Sequence, residues 1–517
     1  MTRRILTSNY FIFFTVSLLT ALAYLLTVST RLTWANFGND GGDFLAAILT
    51  TGIPHPTGYP TYTLLGIIFQ QIPFGDPYFR AVMLSWLPAA IGAGLLALWV
   101  KNFLDDQPEP GLVAVLTALF AGIIWGLMPF LWSQAVIIEV HALQSLFLVL
   151  AIWWVWLLQR FDPQKKNFSL LFLLAFLFGL ALGNHITILF FSPVILFSLV
   201  IAYKRGSSLK FILAQGLIIM LGTLIYLYLP LRAAHFPPIN WGNPQSWQGF
   251  LWVITGDPYH NLLLGTSFSQ VLTRIAALAS LLLQQFGVLG VILAVIGAVQ
   301  YKHHHKALPI SLLYLFTAFS LFAILYATDD SITYLLAPFM VFTLWIAFAI
   351  SIILPVIWKR FPLGYALIAV YLIVFLVSIP KTVQDINPRH QTQPADYAEY
   401  LLSYLPENTI LLTSSDPDSF PLWYYHFGLG WRSDLRIIVL PLTQFRWYQQ
   451  TLAHTYPDLD YPPVITQTTN KSQSWGESIP DLNPDHPICK SFVQKTQGNS
   501  IIVECSTGHN FNFVISD

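Results

Sequence analysis

Eleven times along this chain the sequence runs apolar and almost free of charge for close to a membrane's thickness, and that recurrence restricts its fold more than any other feature. The stretches lie near 10–30, 82–100, 111–128, 142–159, 168–183, 186–203, 211–229, 284–301, 308–327, 332–354 and 363–379. Crossing the hydrocarbon takes roughly 20 residues of helix, and helix is the form such runs take because lipid offers no partner to a bare amide. Only 10% of the 517 residues are charged, against roughly 25% in a soluble domain. The chain is therefore predicted to be a polytopic α-helical membrane protein of about eleven transmembrane helices. The run from 168 to 203 counts twice, because Gly183-Asn184-His185 interrupts it and one helix of that length would overshoot the bilayer. The first run follows Arg3 and Arg4, exceeds a signal-peptide core and lacks a small-residue cleavage site before Trp34, so it reads as an uncleaved span.

Placing the N-terminus in the cytoplasm leaves thirteen Lys and Arg inside and, before residue 381, four outside: Arg31, Arg80, Arg232 and Arg274. The positive-inside bias supports that orientation. Arg274 and the apolar run behind it could also form an interfacial helix leading into the eighth span. Residues 1–380 then form the membrane region and 381–517 a small extracytoplasmic α/β domain, with strand-like runs at 409–413, 436–440 and 500–504 and a helical pattern near 420–427. The only two cysteines, Cys489 and Cys505, lie in that domain and fit either a disulfide or two packed thiols. Residues 457–487, rich in Pro, Asn, Ser and Asp, read as a loop. His303-His304-His305 reads as a solvated cytoplasmic turn rather than a metal site. A net charge of zero gives no footprint for nucleic acid.

Polar chemistry gathers on the outside face. The first loop carries Asp40 and Asp43 around two glycines, then Pro54-His55-Pro56-Thr57-Gly58-Tyr59-Pro60. Two carboxylates three apart share a face if helical and could hold a metal or act as a base; an N-cap with a glycine turn is the plainer reading. Glu139, His141, Asn184 and His185 stand at span ends, where ionisable groups are costly and tend to have a purpose. Arg232 follows the seventh span, and an arginine there can grip a phosphate. In the last region Asp416, Asp418 and Trp423 either face the membrane cavity or form a capped turn. The sequence has no Walker loop, nucleophile elbow, HExxH or dinucleotide fingerprint. A transporter or flippase remains the rival reading, because polar groups inside membranes also line substrate paths.

The segments NDGGDF (39–44), GIPHPTGYPTYTLLG (52–66), IEVHALQS (138–145), ALGNHITIL (181–189), YLYLPLR (226–232), PPINWGNPQSW (237–247) and DPDSFPLWYYHFGLGWRSDLRIIVLPL (416–442) resemble GT-C-type membrane glycosyltransferases. The resemblance is to the domain-of-unknown-function family that includes the transmembrane plexin-type protein O-mannosyltransferases. Asn39 and Gly41 stand where that family has glycine and serine, while the carboxylates are kept. The resemblance implies a GT-C-like fold and a lipid-linked sugar donor, a polyprenyl-phosphate hexose such as mannose. It implies inverting transfer to a hydroxyl of an extracytoplasmic protein or glycan. By that analogy Asp40 is the base and Asp43 its orienter, Arg232 binds the donor phosphate, and His55, Tyr59, Glu139, His141, Asn184, His185, Asn240 and Trp241 complete the substrate pocket. No cofactor is implied with certainty, and a divalent metal is left open.

Overall fold

The computed structural model describes residues 8–105, 111–164, 168–301, 307–356, 362–463, 473–496, 498–508 and 510–515. The triple-histidine turn at 303–305 lies outside the described residues, as do Arg3, Arg4, Lys165, Lys166, Lys302, Lys306, Lys359 and Arg360 of the basic set.

All eleven expected stretches are helical, but they are not equally long. Among the described residues nine helices are long and apolar enough to cross a membrane, so the chain is an integral, multi-pass membrane protein. A tenth crossing exists only if Leu112–Leu127 and Pro129–Ala135 are one span, bent by 59°. The bend falls where Met128 is extended and Pro129 cannot donate to the preceding turn. Phe168–Leu182 has 15 residues, short of the roughly 20 that cover the hydrocarbon. The stretch read as 284–301 is the far limb of a longer element, Phe268–Tyr301, broken at Gly287. Arg274 therefore stands on a separate helical limb leading into that span. Its guanidinium donates to the carbonyls of Ala323, Tyr326 and Thr328, beyond and within the last turn of the Ala307–Leu325 helix. Carbonyls there have no helical partner and carry the negative end of the helix dipole.

Burial sorts the spans. Over their apolar windows Ser331–Ile353 is 83% buried and Val140–Gln159 78%, whereas Leu209–Ala233 is 17% buried and faces lipid. Side-chain amides tie the central spans together: Gln159 Nε2 donates to the hydroxyls of Ser198 at 3.1 Å and Ser311 at 2.9 Å. Such bonds between membrane helices are worth about 0.6–2 kcal/mol each. Small residues allow close approach, and a Cβ on Gly297 would sit 1.8 Å from the Trp345 carbonyl oxygen.

The C-terminal region is a small domain built on a mixed five-stranded sheet, order β2-β1-β3-β4-β5. The strands are β1 (Ile410–Thr413), β2 (Arg436–Val439), β3 (Ile488–Thr496), β4 (Gly498–Cys505) and β5 (Asn510–Ile515). β1 pairs in parallel with β2 and β3, and β3, β4 and β5 pair antiparallel. The parallel β1–β2 link needs a crossover, which the Asp416–Trp423 helix supplies. Cys489 and Cys505 stand opposite one another on β3 and β4 and form a disulfide. Within the stretch read as a loop, short helices occupy Gln473–Glu477 and Ile479–Leu482, and 464–472 lies outside the described residues.

The sheet region is fastened to the membrane region. Arg31, just past the first span, pairs with Asp396 at 2.7 Å and with Glu399. Arg389 donates to the Leu26 carbonyl at 3.0 Å. The Gly41–Thr50 helix packs directly on Asp416–Trp423, where a Cβ on Gly42 would lie 2.3 Å from the Phe420 carbonyl oxygen. The nearest atom to a Cβ on Gly41 is 3.6 Å away, an ordinary contact. Gly42→Ala is accordingly expected to cost about 1–3 kcal/mol through forced backbone displacement. Gly41→Ala, at a helical φ of −56°, should be neutral or gain roughly 0.5–1 kcal/mol. Thermal unfolding of the two purified variants checks the contrast.

Candidate functional site

A cavity of about 550 Å³ opens where the first loop, the ends of several spans and the sheet region meet. Asp40 occupies the N-cap position of the Gly41–Thr50 helix, yet its carboxylate makes no capping bond. It lines the cavity and keeps 37% of its side-chain surface open. Asp43, one helical turn on, is fully buried behind it. One Asp43 oxygen accepts from the His55 main-chain N–H at 2.9 Å and from His55 Nδ1 at 2.7 Å. The other accepts from Trp241 Nε1 at 3.1 Å. The far side of the same imidazole, Nε2, faces an Asp40 oxygen at 3.4 Å. Asp43, His55 and Asp40 thus stand in line, from the protein interior to the cavity.

Local backbone explains the alignment. The proline-rich segment cannot form helix, so other groups hold it. Ile53 N–H donates to the Ile239 carbonyl at 2.8 Å and Trp241 N–H to the Ile53 carbonyl at 3.2 Å, a single parallel bridge joining two distant loops. Tyr228 OH donates to the Gly52 carbonyl at 2.7 Å. Arg232 Nε donates to the Thr51 carbonyl at 2.7 Å.

Charge follows from this geometry. Burial by itself lowers the basicity of His55, but the field of Asp40, the hydrogen bond to Asp43 and the Asp43 charge outweigh it, holding the imidazole up at about 9. It is an imidazolium at neutral pH. Burial raises Asp40 above the ordinary carboxylate range, the His55 cation opposes that, and Asp43 and Asp330 add to it. Asp416, also on the cavity wall, is pushed up to about 7, by burial first and then by Asp40.

Seven of the anticipated site residues line the cavity: Asp40, His55, Tyr59, Glu139, His141, His185 and Trp241. Asp43 supports them from behind. Glu139 also caps the Val140–Gln159 helix, accepting from the Val140 N–H at 3.3 Å. Three anticipated residues lie elsewhere. Asn184 is buried between spans, donating to the Val140 carbonyl and to Gln144 Oε1. Asn240 is buried and donates to Asn243 Oδ1 at 3.4 Å. Arg232, expected to grip a phosphate, is not among the lining residues; its short helix, Tyr228–Ala233, places it against the Thr51 turn. Tyr259, Asp330, Tyr334 and Asp416 line the cavity without having been assigned to it. Asp416 was the nearest to legible, since the cluster 416–423 fitted both a cavity wall and a cap. Both readings are realised, by different carboxylates: Asp416 faces the cavity, while Asp418 accepts from Ser415 N–H at 2.7 Å and Ser415 Oγ at 2.9 Å in a capping box. Among the described residues no group of three or more His, Cys, Asp and Glu side chains is arranged to hold a metal ion.

Comparison with known proteins places this arrangement. Residues 40–208 match the model of the Protein O-mannosyl-transferase TMEM260 N-terminal domain, and 394–479 match TMEM260-associated domain 2. The chain is 25% identical over 464 residues to Protein O-mannosyl-transferase TMEM260 of Mus musculus, a match covering 82% of this chain and 62% of the relative. It is 21% identical over 486 residues to the Dictyostelium discoideum counterpart, covering 82% and 57%. The chain thus matches only about three-fifths of these relatives' length. Its fold is shared with ArnT from Cupriavidus metallidurans bound to undecaprenyl phosphate, with TM-score 0.57, 11% identity and 93% and 92% of the two chains covered. It is also shared with the archaeal oligosaccharyltransferase AglB from Archaeoglobus fulgidus in complex with an inhibitory peptide and a dolichol-phosphate, with TM-score 0.51, 14% identity and 97% and 74% covered. Two family models in order, relatives aligned over most of the chain and a shared fold together make the chain similar to the protein O-mannosyl-transferase TMEM260 proteins, on a fold it shares with ArnT and AglB.

Proposed function

We propose that this protein transfers a hexose, mannose by its kinship, from a polyprenyl-phosphate donor to a hydroxyl of a protein acceptor. The observation that carries the proposal is the Asp40 carboxylate, raised in basicity, open to the cavity and held in place by His55 on Asp43. Asp40 takes the acceptor's hydroxyl proton as that oxygen attacks the anomeric carbon. The new carbon–oxygen bond forms on the face opposite the phosphate, the glycosyl–phosphate bond breaks, and its electron pair leaves on the phosphate oxygen with inversion. His55 and Asp43 do not touch the reacting atoms; they set the position and charge of Asp40. The kinship to ArnT and AglB, solved with polyprenyl-type phosphates, supports a lipid-borne donor.

Residues 1–380 supply the base and the lipid-facing spans in this reading, and 381–517 supply the Asp416 wall on the acceptor side. The Cys489–Cys505 disulfide supports an extracytoplasmic placement of that wall, because disulfides persist in oxidising compartments. The test is transfer of labelled mannose from polyprenyl-phosphate mannose to a hydroxyl-bearing peptide by the purified protein. Incorporation into peptide supports the reading; donor movement across vesicles without incorporation sinks it in favour of a transporter.

The charges set a pH profile. Asp40 must be deprotonated to act, so activity falls as pH drops through its raised value, earlier than an ordinary carboxylate would dictate. His55 loses its proton as pH rises through about 9, leaving Asp40 without its cation. A bell-shaped kcat/KM with an alkaline limb near 9, which His55→Gln removes, is the expected result.

A further inference from the structure

A lipid-phosphate donor, the premise taken from the proposed function, needs a place for its anion, and the cavity offers no lysine or arginine among its lining residues. Its basic side chains are histidines. His55 is engaged by Asp40 and Asp43, and the exposed His260 faces the Thr255 carbonyl at 3.1 Å. His141 and His185 remain. Their rings lie 5.4 Å apart, and His141 makes no hydrogen bond among the described residues. The Thr187 main-chain N–H, a fixed donor, points at His185 Nδ1 at 3.3 Å. Nδ1 therefore accepts, and the neutral ring carries its proton on Nε2, which has no partner among the described residues.

This pair also stands at the head of an apolar path. Tyr334 is 5.7 Å from the His185 ring, 4.9 Å from Phe322 and 5.5 Å from Tyr326. Phe322 and Tyr326, with Phe190 and Leu263, line both the cavity and a second groove of about 250 Å³. That groove lies along the Ala307–Leu325 span and includes Leu264 and Leu321, which are 76% and 51% exposed. An apolar channel opening from the membrane and terminating at ring N–H donors fits a chain with a phosphate at its end.

We propose that His141 and His185 hold the donor phosphate through their ring N–H groups while the first isoprene units lie in the Phe190–Leu321–Phe322 groove, and that Arg232 has no part in phosphate binding. The test measures binding of undecaprenyl phosphate, undecaprenol and inorganic phosphate to the full-length protein in nanodiscs. For His141→Phe/His185→Phe the affinity for undecaprenyl phosphate should fall about 30-fold or more, the loss expected for two hydrogen bonds to a charged group. Undecaprenol binding should be retained, which also reports an intact fold. Single His→Gln variants, which keep an N–H donor, should stay within about fivefold, and Arg232→Ala within about twofold. Unchanged affinity in the double variant overturns the proposal, as does equal loss of both lipids or a loss confined to Arg232→Ala. Displacement of the lipid phosphate by inorganic phosphate at matched concentration overturns the lipid as its source. A wild type that binds neither lipid overturns the donor reading itself, a result separable from the others.

Discussion

The Asp40→Asn protein is expected to bind its lipid donor normally and to transfer sugar about 10²–10⁴-fold more slowly, the usual contribution of a positioned general base. Asparagine keeps the side chain's size and its place at the start of the Gly41–Thr50 helix, and the native carboxylate makes no capping bond to lose. What disappears is the proton acceptor, with the charge facing His55 Nε2 at 3.4 Å. The deficit should therefore fall on kcat, with KM for the donor changed by less than about threefold, since an interaction used only in the transition state leaves ground-state binding alone. Rates measured over a range of labelled-donor concentrations at saturating peptide acceptor would show it. An Asp40→Asn enzyme of wild-type kcat would remove Asp40 from the chemistry.

Asp43→Ala should be the more destructive change, and for a different reason. Its carboxylate satisfies three donors, the His55 N–H, His55 Nδ1 and Trp241 Nε1, and is wholly buried. Removing one member of a buried charged pair typically costs about 3–5 kcal/mol, because the partner charge is left without compensation. Here the stranded partner is the His55 imidazolium, which would then shed its proton at lower pH. The Trp241 indole would lose the bond that holds its loop over the cavity. Lower thermal stability, reduced activity and an alkaline limb moved to lower pH are expected together. Asp43→Asn should separate the effects: it retains an acceptor for one donor and so recovers more stability than activity. An Asp43→Ala protein as stable as wild type would refute this account of the buried pair.

Much of this was legible in the residue order. Apolar length alone located the nine spanning helices among the described residues, because the bilayer imposes one dimension on all of them, but it also counted 168–183, whose helix is only 15 residues long. The loop of Asp40, Asp43 and His55 stood out because carboxylates and prolines are unusual company beside a membrane. What composition could not fix was direction. Asn184 and His185 are adjacent, polar and at the same span end, yet one turns into the interface with Val140 and Gln144 while the other lines the cavity. A rotation of a fraction of a turn decides between packing and chemistry, and no residue type encodes it. Arg232 shows the same limit: its charge suited a phosphate, and its Nε donates to the Thr51 carbonyl at a position outside the cavity lining. Strand β5, Asn510–Ile515, went unread because a few alternating residues carry little periodic signal until β4 aligns them. The run read as 111–128 ends at the break at Met128, but the short helix that resumes at Pro129 went unread.

The bond from Trp241 to Asp43 spans 198 residues, and the cavity wall formed by Asp416 and Phe420 is made later still. During synthesis the first loop, with Asp40, Asp43 and His55, therefore precedes the indole that completes the hold on Asp43. Asp43 acquires its indole partner only after several further spans have been inserted. The base is complete in sequence early and complete in space last, so a truncated or stalled chain would hold the reactive groups without the enclosure that gives them their basicity. In the proposed reaction, chain order thus withholds a complete base until the closing segment has been delivered.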